Sequence, residues 1–228
     1  MKKNKQSKFR AISRLLAGVG GLSLTTCAAT AANSFLGVAA GDASSTNAML
    51  WTRCVDTNAP AMVVLTAQVA TDPLFGTHTD FTVNTDINKD YTAKVLATGL
   101  SAGTRYYYRF TDGTNVSLAG TFKTAPAVDM SAPVSFAFSG DCDGLMRPYA
   151  LASQIPGKNL DFFMFDGDTI YETSASIGSP AVTSTASATK AQLFTDFSRK
   201  YREQFLPVNG GSQNCLQSLF AGQGNYTA

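Results

Sequence analysis

Two short apolar runs that each end in acidic residues constrain this chain more than any other feature. Val134–Phe138 leads into Gly140, Asp141, Cys142, Asp143 and Gly144. Leu160–Phe165 leads into Asp166, Gly167 and Asp168, and Tyr171 follows three residues later. An unbroken apolar run bounded by turn formers is the pattern of a strand buried on both faces of a parallel sheet. The connecting segment, Leu145–Leu160, is long enough for a crossover helix, so the stretch predicts a βαβ unit. In such sheets, sites form beyond the carboxyl ends of the strands. Both acidic clusters fall there and are expected to meet in space.

The chemistry gathered at those ends is that of a metal site. Asp141, Cys142, Asp168 and Tyr171 bring carboxylates, a thiol and a phenol, donors that suit a hard or borderline cation. Carboxylates packed together repel, and a bound cation removes that penalty. The competing reading is structural, because acidic residues after strands also cap helices and bind turn amides. Which of Asp141, Cys142 and Asp143 faces a metal is left open by the spacing.

These residues carry a family resemblance. Phe136–Gly144 (FAFSGDCDG) and Phe162–Glu172 (FFMFDGDTIYE) resemble the first two site motifs of the PhoD-like alkaline phosphatases, a branch of the metallophosphoesterases. The second matches closely through Gly167, Asp168, Thr169, Ile170, Tyr171 and Glu172. The first is looser, with Gly140, Asp141, Asp143 and Gly144 around the cysteine where the family has Ser-Cys. The resemblance implies two metal ions sharing Asp168 as a bridging carboxylate. Cys142 and Tyr171 would complete an iron site, with calcium as the oxygen-rich neighbour. It also implies an exported phosphatase or phosphodiesterase acting on phosphate mono- or diesters by a metal-activated hydroxide.

The amino terminus has three parts. Lys2, Lys3, Lys5, Lys8 and Arg10 come first, an apolar small-residue stretch from Leu15 to Leu24 follows, and Ala29-Thr30-Ala31 closes it. This is the pattern of a secretory signal peptide cleaved after Ala31. The apolar stretch is too short and too rich in glycine for a membrane span. The protein is therefore expected to be exported, to a periplasm or beyond the cell. The chain holds 18 Lys and Arg against 16 Asp and Glu, but six of the basic residues precede Ala32 and no acidic residue does. The remainder carries 12 basic and 16 acidic residues, a net charge of −4, so no nucleic-acid partner is implied. Of four cysteines, Cys27 lies in the leader, and Cys54, Cys142 and Cys215 remain. If Cys142 is the ligand, Cys54 and Cys215 are the only remaining pair. They lie in different predicted domains, and no bridge between them is expected.

From Ala32 to Ala127 the pattern is all β, with short runs of Val, Thr, Tyr and Phe between turn residues. Candidate strands are Asn47–Arg53, Ala61–Ala70, Asp80–Val83, Thr92–Thr98, Arg105–Thr111 and Leu118–Thr124, enough for a small sandwich. In the fifth, Tyr106, Tyr108 and Phe110 share one face, which is expected to be the core face. Gly99–Phe110 resembles the turn and late strand of fibronectin type III modules, with Ala102 in place of the usual proline. That stretch, with Phe35–Asp42 and Ala48–Arg53, also resembles the amino-terminal domain of the PhoD-like phosphatases. His78, the only histidine, is expected in a surface loop.

Residues 126–133 read as a short linker, and Thr173–Lys190 as a loop rich in Ser, Thr, Ala and Gly. Ala191–Leu206 predicts a helix, with Leu193, Phe194, Phe197, Tyr201 and Phe205 on one stripe and Pro207 ending it. Arg199, Lys200 and Arg202 are expected on a solvated face. Leu219–Ala221 reads as the start of a strand. The family's next motif, with its histidine, is not reached, so the chain is expected to be an inactive fragment.

The expected fold class is α+β and multidomain. A signal peptide (1–31) precedes a fibronectin-III-like β-sandwich (32–127) and the first part of an α/β metallophosphoesterase domain (128–228). The alternative is an extracellular β-sandwich binding module with a non-catalytic α/β companion. Oligomeric state is not written in the sequence.

Overall fold

The computed structural model describes residues 33–56, 58, 60–171, 194–206 and 215–227. The expected signal peptide, Glu172 and the segment 173–190 lie outside them. In chain order the strands are β1 (Asn33–Gly41), β2 (Asn47–Asp56), β3 (Val64–Ala70), β4 (Thr79–Asn84), β5 (Thr92–Thr98), β6 (Arg105–Thr111), β7 (Gly120–Lys123), β8 (Phe136–Ser139), β9 (Phe162–Phe165) and β10 (Gly224–Thr227). The helices are α1 (Phe194–Phe205) and α2 (Cys215–Gly222).

The strands form two sheets. One runs β5-β2-β1-β10-β9-β8, the other β4-β3-β6-β7. Alternation decides which residues meet between them. Ala48, Leu50, Thr52 and Cys54 of β2 point inward, as do Leu65, Ala67 and Val69 of β3 and Tyr106, Tyr108 and Phe110 of β6. Side chains on alternate positions share a face, so each strand gives one face to the core and the other to solvent. The Tyr106 hydroxyl accepts from the Ser101 amide at 2.8 Å, which ties the turn before β6 to its own strand. β5 and β6 have the expected limits, and β2, β3, β4 and β7 differ from expectation only at their ends. β1 was not among the candidate strands.

The first sheet does not stop at the boundary expected near residue 127. β1 pairs in parallel with β10 through Ala40–Gly224 and Gly41–Asn225, and β10 pairs in parallel with β9. All described residues thus lie in one compact unit, Ala31–Ala228. A second apolar cluster of Cys142, Phe163, Phe165, Leu216, Leu219 and Phe220 packs α2 under β9.

Four expectations are corrected. The crossover is not a regular helix but three short 3₁₀ segments, Gly144–Met146, Ala150–Gln154 and Pro156–Lys158. Pro148 and Pro156 lack the amide hydrogen that an uninterrupted helix needs. The first apolar run is not buried on both faces, because among the described residues β8 is the sheet's edge strand and Phe136 and Phe138 are exposed. Leu219–Ala221 belongs to α2, and the strand begins only at Gly224.

The fourth correction concerns α1. Its buried residues are Asp196, Lys200, Glu203 and Gln204, whereas Phe194, Phe197 and Tyr201 are exposed. Lys200 therefore lies inside rather than on a solvated face. Only Phe205 of the aromatic stripe packs inward, between Trp51 and Phe220. A salt-bridge clamp fixes the helix against the sandwich. Asp90 accepts from Arg53 Nε and Nη2, both at 3.1 Å, and from Arg202 Nη1 at 2.6 Å.

That clamp gives the fold an acid-sensitive contact. Burial by itself raises the Asp90 carboxyl, but the bonds from Arg53 and Arg202 outweigh it and hold it below its ordinary value. Asp112 behaves alike: burial raises it, but bonds from Asn115, Thr114 and Asn33 bring it down to about 2. A carboxyl depressed in the folded state stabilises fully above its unfolded value, near about 4. That contribution is lost as pH falls through the folded value. Thermal melts are therefore expected to show Tm falling between about pH 4 and pH 2. A flat profile across that window would refute this.

Candidate active site

The loops that follow β8 and β9 are joined by their backbones. The strands pair in parallel, Phe136 to Phe162 through Ser139 to Phe165. Beyond them the Asp166 amide donates to the Ser139 carbonyl at 3.0 Å, Asp141 to Gly167 at 3.3 Å and Cys142 to Asp168 at 2.9 Å. The approach is close: a Cβ at Gly140 would sit 3.0 Å from the Gly167 carbonyl oxygen, so any side chain there would press the two loops apart by a few tenths of an ångström. Asp141 (φ 64°) and Asp168 (φ 53°) both take the left-handed conformation. Outside glycine this is uncommon, and Asp and Asn adopt it most readily.

The result brings three of the four expected site side chains together. The Tyr171 hydroxyl donates to Asp141 Oδ1 and lies 3.2 Å from Asp168 Oδ2. Both carboxylates are exposed. No ion pair among the described residues involves either of them. A phenol has one proton to give, so this hydroxyl can donate to only one of the two carboxylates at a time.

Cys142 is placed differently. Its backbone joins the loops, but its side chain is buried in the second apolar cluster. Burial, helped by the Asp141 charge, pushes its thiol up to about 11. Among the described residues no three His, Cys, Asp or Glu side chains gather closely enough to hold a metal ion. The Asp143 carboxylate accepts from the Leu145 amide at 2.9 Å and caps the following 3₁₀ turn. His78 is exposed beside Asp80 on the other sheet, in a loop as expected. Cys54 is a buried free thiol.

A cleft of about 460 Å³ opens beside the loops, walled by Met146, Tyr149, Leu151, Phe163 and Leu219. Two residues that no motif marks reach the same loops from behind. Gln204 of α1 donates to the Cys142 carbonyl at 3.2 Å, and Tyr149 lies within 2.6 Å of the Gln204 side-chain oxygen. An amphipathic helix read from its aromatic stripe points attention at the opposite face, which is why sequence reasoning passed over Gln204.

The two-layer β fold is similar to that of a solved phosphatase, and the chain is a relative of that class. Its relatives are the PhoD-like phosphatases: residues 22–126 match the family described as PhoD-like phosphatase, N-terminal domain. Alkaline phosphatase D of Bacillus subtilis (strain 168) is 34% identical over 148 residues, covering 60% of this chain and 25% of that protein. The solved structure of PhoD superposes with a TM-score of 0.72 at 25% identity, over 85% of this chain and 38% of that one. The chain thus spans about a quarter of the curated relative and 38% of the solved one.

Proposed function

We propose that the two loops form a hard-cation site of an exported, metal-dependent phosphoesterase acting on phosphate mono- or diesters. The observation that carries this reading is the convergence of Asp141, Asp168 and Tyr171 oxygens with no cationic side chain paired to them among the described residues. Likeness to the PhoD-like phosphatases supports the reaction class. The division proposed is a fibronectin-III-like scaffold over 32–127 and the catalytic portion over 128–228. Export rests on the leader pattern of residues 1–31. No helix among the described residues is long and apolar enough to cross a membrane.

The donor chemistry fits a hard cation such as calcium, which takes carboxylate and other oxygen ligands. It fits the iron that the resemblance implies only after Cys142 turns out of its apolar cluster and loses a proton now held to about 11. A bound cation would neutralise charge on the phosphoryl group and lower the pKa of water. The chain's own residues do the rest. Asp168 and Asp141 offer the charges, Tyr171 spaces them, and the wall of Met146, Leu151 and Phe163 suits the organic part of an ester. With these donors among the described residues, and its single histidine on the other sheet, the 228-residue chain is proposed to bind a cation without turnover.

The test uses the purified 228-residue chain. Tb³⁺, a luminescent stand-in for calcium that a neighbouring phenol sensitises, is titrated into it. Hydrolysis of p-nitrophenyl phosphate and of bis(p-nitrophenyl) phosphate is followed with and without a chelator. Saturable Tb³⁺ emission without turnover is the expected result. Chelator-sensitive turnover would overturn the proposed inactivity and keep the reaction class. No Tb³⁺ binding would remove the site and favour a β-sandwich binding module.

A further inference from the structure

The site loop is held from two sides, and only one of them is the neighbouring strand. The Cys142 amide donates to Asp168. The same residue's carbonyl accepts from Gln204 Nε2 inside the protein, at 3.2 Å. Gln204 is 3% exposed, and its other end, Oε1, lies 2.6 Å from the Tyr149 hydroxyl. That hydroxyl also lies 2.9 Å from the Asp143 carbonyl, at the far end of the loop. One amide therefore spans α1 and the Asp141–Asp143 loop with both donor and acceptor engaged. A few residues on, Arg147 Nη2 donates to the Leu206 carbonyl at 2.7 Å and docks the end of the same helix. The bond between Gln204 and the Cys142 carbonyl is buried, which leaves little water there to substitute for a lost partner.

We propose that Gln204 is a positioning residue: through the Cys142 carbonyl it sets where Asp141 stands relative to Asp168 and Tyr171. The proposal rests on the cation-site reading above. Gln204 touches none of the three site oxygens, so its effect must travel through the peptide between Asp141 and Asp143. Groups that orient metal ligands in this way typically change metal affinity by roughly 10- to 100-fold when removed. The polar face of α1 is buried for a reason: it carries the group that fixes the loop.

Two variants separate hydrogen bonding from packing. Gln204→Met keeps the length and shape of the side chain and removes both polar contacts. Gln204→Glu keeps an acceptor for Tyr149 but no donor for Cys142. Hydrogen exchange in a peptide covering Gly140–Asp143 reads the loop without any metal, with a Tyr106–Phe110 peptide as the control for global unfolding. Tb³⁺ titration reads the consequence. Both variants are expected to exchange faster in the loop peptide only, and to bind Tb³⁺ roughly 10- to 100-fold more weakly. Wild-type loop exchange and wild-type affinity in Gln204→Met would overturn the proposal and leave the cation site standing. A wild-type chain that binds no Tb³⁺ would overturn the cation site, and the positioning role with it. Faster exchange in the control peptide as well would show that Gln204 supports the fold at large and would overturn a role specific to the loop.

Discussion

Gly120→Ala is expected to destabilise the fold by about 3 kcal/mol, the upper part of the range for overpacking a core. A Cβ at Gly120 would stand 2.4 Å from Tyr108 Cζ and 2.5 Å from its Cε1 and hydroxyl oxygen. Real Cβ atoms do not approach that closely, so either the ring or the strand has to move. The ring has nowhere to go. Tyr108 is wholly buried and packs against Phe122, with ring centres 5.9 Å apart. β7 is held to β6 at this very point, where Tyr108 faces Gly120. Movement of the strand would break the ladder that closes this edge of the second sheet. For a unit of this size the loss corresponds to a Tm lower by roughly 6–12 °C. Tyr108→Leu in the Gly120→Ala background relieves the clash, so the two changes should be strongly non-additive in a double-mutant cycle. Additive effects, or a Tm within a degree or two of wild type for Gly120→Ala alone, would refute the packing argument.

That contact also shows where sequence reading ended. The alternation of Tyr106, Tyr108 and Phe110 gave the core face of β6 correctly, because period two is a property of the strand itself. Which glycine makes room for a ring depends on register between strands distant in sequence, and no single-strand pattern contains it. The same limit explains the errors in the second half. The FAFS run of β8 reads as a buried strand by composition, yet burial depends on how many neighbours the sheet supplies, and among the described residues β8 has one. The aromatic stripe of α1 was legible, but not which face would meet the site loop. The convergence of Asp141, Asp168 and Tyr171 was legible because two parallel strands must end side by side. The position of the Cys142 side chain was not, because one residue's step along the loop turns it from solvent into the apolar cluster.

Asp168→Asn should abolish cation binding and leave the fold intact, and this contrast is the sharpest expectation for the site. Asn matches Asp in volume and tolerates the left-handed backbone at φ 53° about as well. The Asp168 carbonyl, which accepts from the Cys142 amide, is unchanged by the substitution. The carboxylate itself is exposed and contacts only the Tyr171 hydroxyl in the described structure, so little folding energy depends on it. What is lost is one of two negative charges facing the same space. Removing groups that merely orient ligands costs roughly 10- to 100-fold in metal affinity, so removing a charged ligand should exceed roughly 100-fold. Tb³⁺ titration of the 228-residue chain measures this, and circular dichroism melts check the fold. Asp143→Asn is the matched control, because its carboxylate is engaged in capping a turn through the Leu145 amide; its affinity should stay within roughly threefold of wild type. Retained binding in Asp168→Asn would remove the cation site, and equal losses in both variants would show that the loop responds to any change of charge rather than to a ligand.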